Sequence, residues 1–198
     1  MIRERQIIST QCKLMTVIET DRLILRRLSN DDTEFIVELL NQPSFLRYIG
    51  DKGVRNDADA VQYIQNGPVA SYERFGFGLY LVELKATGES IGICGLLKRD
   101  SLPHVDIGFA FLPNFWSRGY AYESASAVMT YGREVLGLGR ILAITSTDND
   151  ASIKLLEKLG LRFERLIKLA ADRSEVKLFV SEIDGSTTRH SIVEQVLS

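Results

Sequence analysis

The sequence predicts an α+β fold with a mixed, mostly antiparallel sheet. Three observations carry this. Strand and helix patterns run in the order strand, two helices, three strands, helix, strand, helix, two strands. Two pairs of strands, 77–84 with 91–97 and 161–168 with 175–181, are close enough to form hairpins. Long helical patterns separate the remaining strands, which excludes an all-β sandwich, while the hairpins exclude a doubly wound parallel sheet.

The elements follow in chain order. Residues 1–18 show no clear periodicity and read as a tail, 19–183 as one domain, and 184–198 as a polar C-terminal tail. Arg22–Leu28 alternates as a strand. Ser29 and Asp32 form a capping-box pattern that opens a helix with Phe35, Ile36, Leu39 and Leu40 on its apolar face, and Pro43 stops it. Pro43 to Asn56 is turn-rich but carries Phe45, Leu46, Tyr48 and Ile49. A second helix is expected from Asp57 to about Tyr72. After the hairpin, Val105–Leu112 is a strand ended by Pro113, Gly119–Leu136 a long helix and Arg140–Thr145 a strand. Asp148, Asn149 and Asp150 then cap a short helix closed by Gly160.

Composition narrows the function classes. The chain of 198 residues can bury roughly 70% of its unfolded surface, enough for one core. Lys and Arg total 24 against 26 Asp and Glu, a balance that predicts no nucleic-acid or membrane partner. No apolar run approaches the length of a membrane span, and the N-terminus lacks the apolar core of a signal peptide. Two cysteines, Cys12 and Cys94, make neither a disulfide framework nor a metal cluster, so the expected setting is the cytoplasm and the expected metal content none.

Two segments carry the chemistry. In Asn114–Ala121 a strand ends, a turn holds Gly119, and a helix starts at once. Ala121, Ala125, Val128 and Gly132 give that helix a small-residue face that can lie close to the sheet. Free N–H groups at a helix start, with a glycine that admits close approach, suit a diphosphate. An ordinary strand-to-helix turn explains the octapeptide equally well. Asn149–Leu161 is a capped amphipathic helix, yet a cap alone does not need both Asn149 and Ser152 in its first turn.

Together these segments resemble the GNAT N-acetyltransferases, in particular their RimJ/RimL-like branch. Thr20–Arg26 resembles the branch's first strand, Asp106–Phe109 with Phe115–Glu123 its cofactor strand and pyrophosphate loop, and Asn149–Leu161 its second cofactor motif. The resemblance covers about Thr20 to Ser181. It implies a sheet whose central parallel strands, Val105–Leu112 and Arg140–Thr145, splay apart around acetyl-CoA as co-substrate. Backbone groups of Phe109 and Phe111 would pair with the pantetheine arm as an added strand does. Amides of Ser117, Arg118, Gly119, Tyr120, Ala121 and Tyr122 would hold the pyrophosphate, and Asn149 and Ser152 would flank the thioester. Trp116 stands where many members have Gln or Arg, as in the RimJ/RimL-like branch. Leu156 stands where many members carry a tyrosine acid, and Ser152 would replace it.

The acceptor implied is a primary amine, of a small molecule or a peptide N-terminus. An α-amino group of pKa ~7.8 is about a tenth neutral at pH 7, and a lysine-like amine of pKa ~10.4 under about a thousandth, so a base matters most for the latter. Asp106 and Glu83 are the base candidates, each with a structural role as the alternative. Phe45, Tyr48 and Ile49, with Trp116 nearby, are expected either to wall the acceptor pocket or to pack in the core, and the sequence favours neither. The stretch Ile167–Arg173 looks shorter than the RimL-like region that holds its catalytic glutamate. The competing reading is a non-catalytic acyl-CoA sensor on the same fold. Homodimers are common in the family, which makes a second copy of the chain the other expected partner.

Overall fold

The computed structural model describes residues 16–170 and 174–181. The expected tails at 1–15 and 182–198, Cys12, and Ala171 to Arg173 of the final connection lie outside the described residues.

Eight strands form one sheet: β1 (Thr16–Glu19), β2 (Leu23–Arg27), β3 (Leu79–Leu84), β4 (Ser90–Leu97), β5 (Asp106–Phe111), β6 (Leu142–Ser146), β7 (Leu161–Ile167) and β8 (Val176–Ser181). Their spatial order is β1-β2-β3-β4-β5-β6-β8-β7. Every neighbouring pair is antiparallel except β5 with β6. β1 begins at Thr16, inside the stretch read as tail. A four-residue edge strand is too short to give a periodic signal.

Helices cover both faces of the sheet. α5 (Tyr120–Glu134) and α6 (Asp150–Lys158) pack one face through Ala125, Val128, Met129 and Leu156, against Leu25, Val82, Ile107 and Phe179. The small-residue stripe read from the sequence supplies this contact. α1 (Thr33–Leu40), α2 (Pro43–Tyr48) and α3 (Asp57–Ile64) cover the opposite face through Ile36, Leu39, Phe45 and Ile64 against Leu81 and Ile93. Strand alternation produces the two cores: Tyr80 and Val82 belong to the first, Leu81 between them to the second.

The Ser29–Asp32 capping box is present, and it opens a short 3₁₀ turn that leads into α1. Pro43 occupies the first turn of α2, a helix the sequence reading left as a turn-rich segment; a proline that ends one helix is also suited to start the next. The single helix expected from Asp57 to Tyr72 is divided. α3 is capped by Asn56, a π-turn spans Gln65–Val69 around Pro68, and α4 runs Ala70–Phe75. Pro68 lacks an N–H and crowds the preceding turn, which the wider π-turn accommodates.

Candidate active site

β5 and β6 pair at only two rungs, Asp106 with Leu142 and Ile107 with Ala143. Beyond Ile107 the strands diverge, and β6 continues with β8 as its partner. The Leu142 N–H donates to the Val105 carbonyl at 2.9 Å. Alternation along β5 therefore turns the backbone groups of Ile107, Phe109 and Phe111 toward β6 and, past the second rung, into an open wedge. At Phe109 this leaves an unpaired strand edge of the kind an extended, amide-bearing chain can join. At Phe111 only the N–H is available, because its carbonyl accepts the Trp116 indole N–H at 2.8 Å. A cleft of about 1440 Å³ runs through the wedge and is lined by residues of the helices on both faces of the sheet.

One end of the wedge is the loop into α5. Ser117 has φ +58 and Gly119 φ +84, so the chain reverses twice before the helix begins. Gly119 is the N-cap residue and offers no side chain to the first helical amides. Ser117, Arg118 and Gly119 are exposed and Tyr120, Ala121 and Tyr122 half-buried, with Ser117 and Gly119 to Tyr122 lining the cleft. Uncapped amides at the start of a 15-residue helix form a ready anion site. Arg118 stacks on the Phe115 ring at 5.6 Å, and the Lys158 ammonium lies 4.2 Å from the centre of the Tyr122 ring.

A clamp that sequence reading missed fixes this loop. The Glu123 carboxylate accepts from Thr20 Oγ1 at 2.6 Å, from the Arg22 N–H at 3.0 Å and from Arg22 Nε at 2.6 Å. Arg22 Nη1 donates to the Arg118 carbonyl at 3.1 Å, and its guanidinium covers the Tyr120 ring. Burial opposes charge on Glu123, but hydrogen bonds from Thr20 and Arg22 outweigh it and hold the carboxyl below its ordinary range. Arg22 and Glu123 stand 101 residues apart, so no local pattern could announce the pair.

At the second cofactor motif, Asn149 Oδ1 accepts the Ser152 N–H at 3.1 Å, an N-cap bond that accounts for its side-chain oxygen. Ser152 is half-buried and lines the cleft, and its hydroxyl makes no hydrogen bond among the described residues. Leu156 is buried, closing the same wall with a side chain that cannot donate a proton.

The two base candidates separate. Glu83 lies outside the cleft, in a buried ion cluster: Arg26 donates to Glu83 Oε1 at 2.8 and 3.0 Å and to both Asp32 oxygens at 2.7 and 2.9 Å. These bonds join β2 and β3 to the cap of the first helix, which is the structural alternative weighed for Glu83. Asp106 is fully buried at the vertex of the wedge and lines the cleft. Arg99 Nε donates to both its oxygens at 3.0 Å. Desolvation pushes the Asp106 carboxyl up to about 6 in spite of Arg99. Arg99 and the half-buried Tyr63 beside it are neighbours that nothing in the sequence pointed to.

Of the expected acceptor residues, Phe45 is a core residue of the α1–α3 layer that also borders the cleft. Tyr48 is half-buried, and its carbonyl accepts from the Ser146 hydroxyl at 3.1 Å, which ties α2 to the end of β6. Ile49 and Trp116 are exposed at the cleft. Trp116, bonded to Phe111, belongs to the β5 side of the wedge.

A mixed sheet whose one parallel pair parts after two rungs, with an uncapped helix start facing the gap, is the architecture of an acetyltransferase fold. The family model described as "Acetyltransferase (GNAT) domain" matches residues 22–162, and the chain belongs to that family of N-acetyltransferases. It is 33% identical over 156 residues to a Bacillus subtilis (strain 168) protein named "Uncharacterized N-acetyltransferase YoaA", covering 78% of this chain and 88% of that one. The acetyltransferase structure from Agrobacterium tumefaciens str. C58 superposes with a TM-score of 0.72 at 24% identity, over 84% of this chain and 94% of that one. The ribosomal L7/L12 alpha-N-protein acetyltransferase RimL in complex with coenzyme A superposes with a TM-score of 0.67 at 18% identity, over 86% and 98%. At such identities the two structures share the fold alone. The chain is thus an enzyme, which sets aside the non-catalytic sensor. None of its described helices is long and apolar enough to cross a membrane.

Proposed function

We propose that this protein transfers an acetyl group from acetyl-CoA to a primary amine by direct attack, with a phosphate loop of the RimJ/RimL-like type. The observation that carries the reading is the two-rung pairing of β5 and β6, which leaves Phe109 and the α5 amides facing one gap. The residues fit the cofactor. The unpaired β5 edge matches an amide-bearing arm, and the uncapped amides from Ser117 to Tyr122 match a diphosphate. Bound there, acetyl-CoA supplies an activated acyl carbon.

The chain's own residues do the rest. The amine attacks in its neutral form, and its nitrogen bonds to the acyl carbon as the carbon–sulfur bond breaks. Asp106 takes the proton that the attacking nitrogen gives up, directly or through one water, and its raised basicity favours this over an ordinary carboxylate. A backbone N–H of β5 steadies the negative oxygen. Ser152 donates to the departing thiolate and is reprotonated from solvent. A thiol of pKa ~8.5 leaving at pH 7 forgoes only about 2 kcal/mol without an acid, so Leu156 is tolerable. Positioning both reactants in one gap supplies most of the remaining acceleration.

The test is initial-rate kinetics with labelled acetyl-CoA and an amine. Direct transfer gives intersecting double-reciprocal lines and no label on protein incubated without amine. Parallel lines with a labelled protein would refute it.

A further inference from the structure

The charges of the cleft are unevenly placed. On the sheet face that carries α1–α4, its charged lining comprises Lys52, Arg74, Lys98, Arg99 and Asp106, apart from Arg47, whose charge Asp148 meets at 3.0 Å. The other charged lining groups are Asp148, which meets Arg47, and Asp150 and Lys158 on the α5–α6 side. Asp106 is the one carboxylate in the first group, and Arg99 covers both its oxygens through Nε alone. The terminal nitrogens of Arg99 make no hydrogen bond among the described residues. Lys98 spends one proton on the Leu102 carbonyl at 3.2 Å, and Arg74 lies over the Phe75 ring at 4.9 Å without an ion pair among the described residues. Lys52 has a partner of its own and is not part of the argument.

We propose that the acceptor is a small amine that also carries an anionic group, a carboxylate or a phosphate, held by Lys98, Arg99 and Arg74 while its amine points to Asp106. This rests on the transferase reading above. A concave pocket walled by cations raises the local concentration of anions and repels a polycation such as a polyamine. The planar fork of arginine matches carboxylate and phosphate oxygens in pairs, and such charge-assisted bonds exceed neutral ones in strength. The apolar edges of Phe45 and Phe75 leave room for a short carbon spacer rather than a second charge.

The experiment compares acceptors that differ only in the anion: phosphoethanolamine against ethanolamine, L-alanine against L-alaninamide, and spermidine as the polycation. Rates are expressed per concentration of neutral amine, and acetyl-CoA binding is followed separately by calorimetry. At least one anion-bearing member should exceed its neutral partner by about tenfold or more in kcat/KM, the value of one charge-assisted contact. Which pair shows the gap distinguishes carboxylate from phosphate. Lys98→Gln and Arg74→Gln should raise KM for that acceptor and erase its advantage. Preference for spermidine or the neutral partners, or no transfer to either anion-bearing amine by a protein that binds acetyl-CoA, overturns the inference alone. Failure to bind acetyl-CoA overturns the transferase reading and this inference with it.

Discussion

Gly119 offers the sharpest test of the phosphate loop, because conformation and contact can be separated there. Its φ of +84 lies in the region that costs an L-residue about 1–2 kcal/mol, and a β-branched residue more. A Cβ built on it would also stand 3.3 Å from Arg22 Nη2, pressing on the clamp that holds the Arg118 carbonyl. Gly119→Ala should therefore lower Tm by about 2–8 °C in a chain of this size. Gly88 supplies the control. It sits exposed in the β3–β4 turn with φ +73, and its Cβ would meet nothing within 4 Å. Gly88→Ala carries the same conformational cost far from the cleft. Calorimetry with coenzyme A then decides. Gly119→Ala should weaken binding at least about tenfold, the loss of one charge-assisted amide contact, whereas Gly88→Ala leaves it unchanged. Equal destabilisation by both variants with full coenzyme A affinity in Gly119→Ala would mean that the glycine serves helix entry alone, and the phosphate cradle would lie elsewhere.

The Asp106 carboxyl, raised to about 6, protonates as pH falls through that value, so log(kcat/KM) should steepen from first to second order in proton below about pH 6. Asp106→Asn should stay first order throughout, reporting the amine alone, with kcat about a hundredfold lower; an unchanged profile would exclude Asp106 as the base. Glu83→Gln leaves Arg26 short of one partner in a cluster whose side chains are 14% and 12% exposed. It should cost about 3 kcal/mol in chemical denaturation while kcat is retained; a collapse of kcat with normal stability would restore Glu83 to the chemistry. Cys94 is fully buried among apolar neighbours, and its thiol is pushed up to about 12. Iodoacetamide at neutral pH should leave activity intact, and inactivation that follows alkylation of Cys94 would contradict direct transfer.

The elements legible in the sequence are those whose cause is local. The Ser29–Asp32 cap, the small-residue face of α5, the Asn149 cap and the glycine after α6 each combine residues within a turn or two, and each appears where expected. The π-turn around Pro68 and the start of α2 at Pro43 were harder, since a proline is read first as a stop. Illegible altogether were the ion pairs. Nothing in the sequence marks Arg22 as the partner of Glu123, and Glu83 reads as a base candidate although Arg26 and Asp32 surround it. Pairing across 57 to 101 residues leaves no periodic trace, because a charged residue's partner depends on the sheet register, which a single chain does not print.

Asp106 shows why the same residue type yields opposite outcomes two strands apart. Glu83 and Asp106 each meet an arginine on the α1–α4 face of the sheet. Glu83 shares Arg26 with a second carboxylate, Asp32, inside a closed contact between two strands and a helix cap. Asp106 meets Arg99 where β5 is about to lose its neighbour, so its partner is still 37% exposed and the cleft reaches both. The divergence of β5 and β6 thus does two things with one interruption of pairing. It leaves backbone groups of β5 unpaired, where the proposed acyl donor would pair, and it places a desolvated carboxylate and the cations Lys98 and Arg99 at the same cleft. Donor and acceptor would then meet at the vertex, which favours a ternary complex over a shuttle through an enzyme side chain.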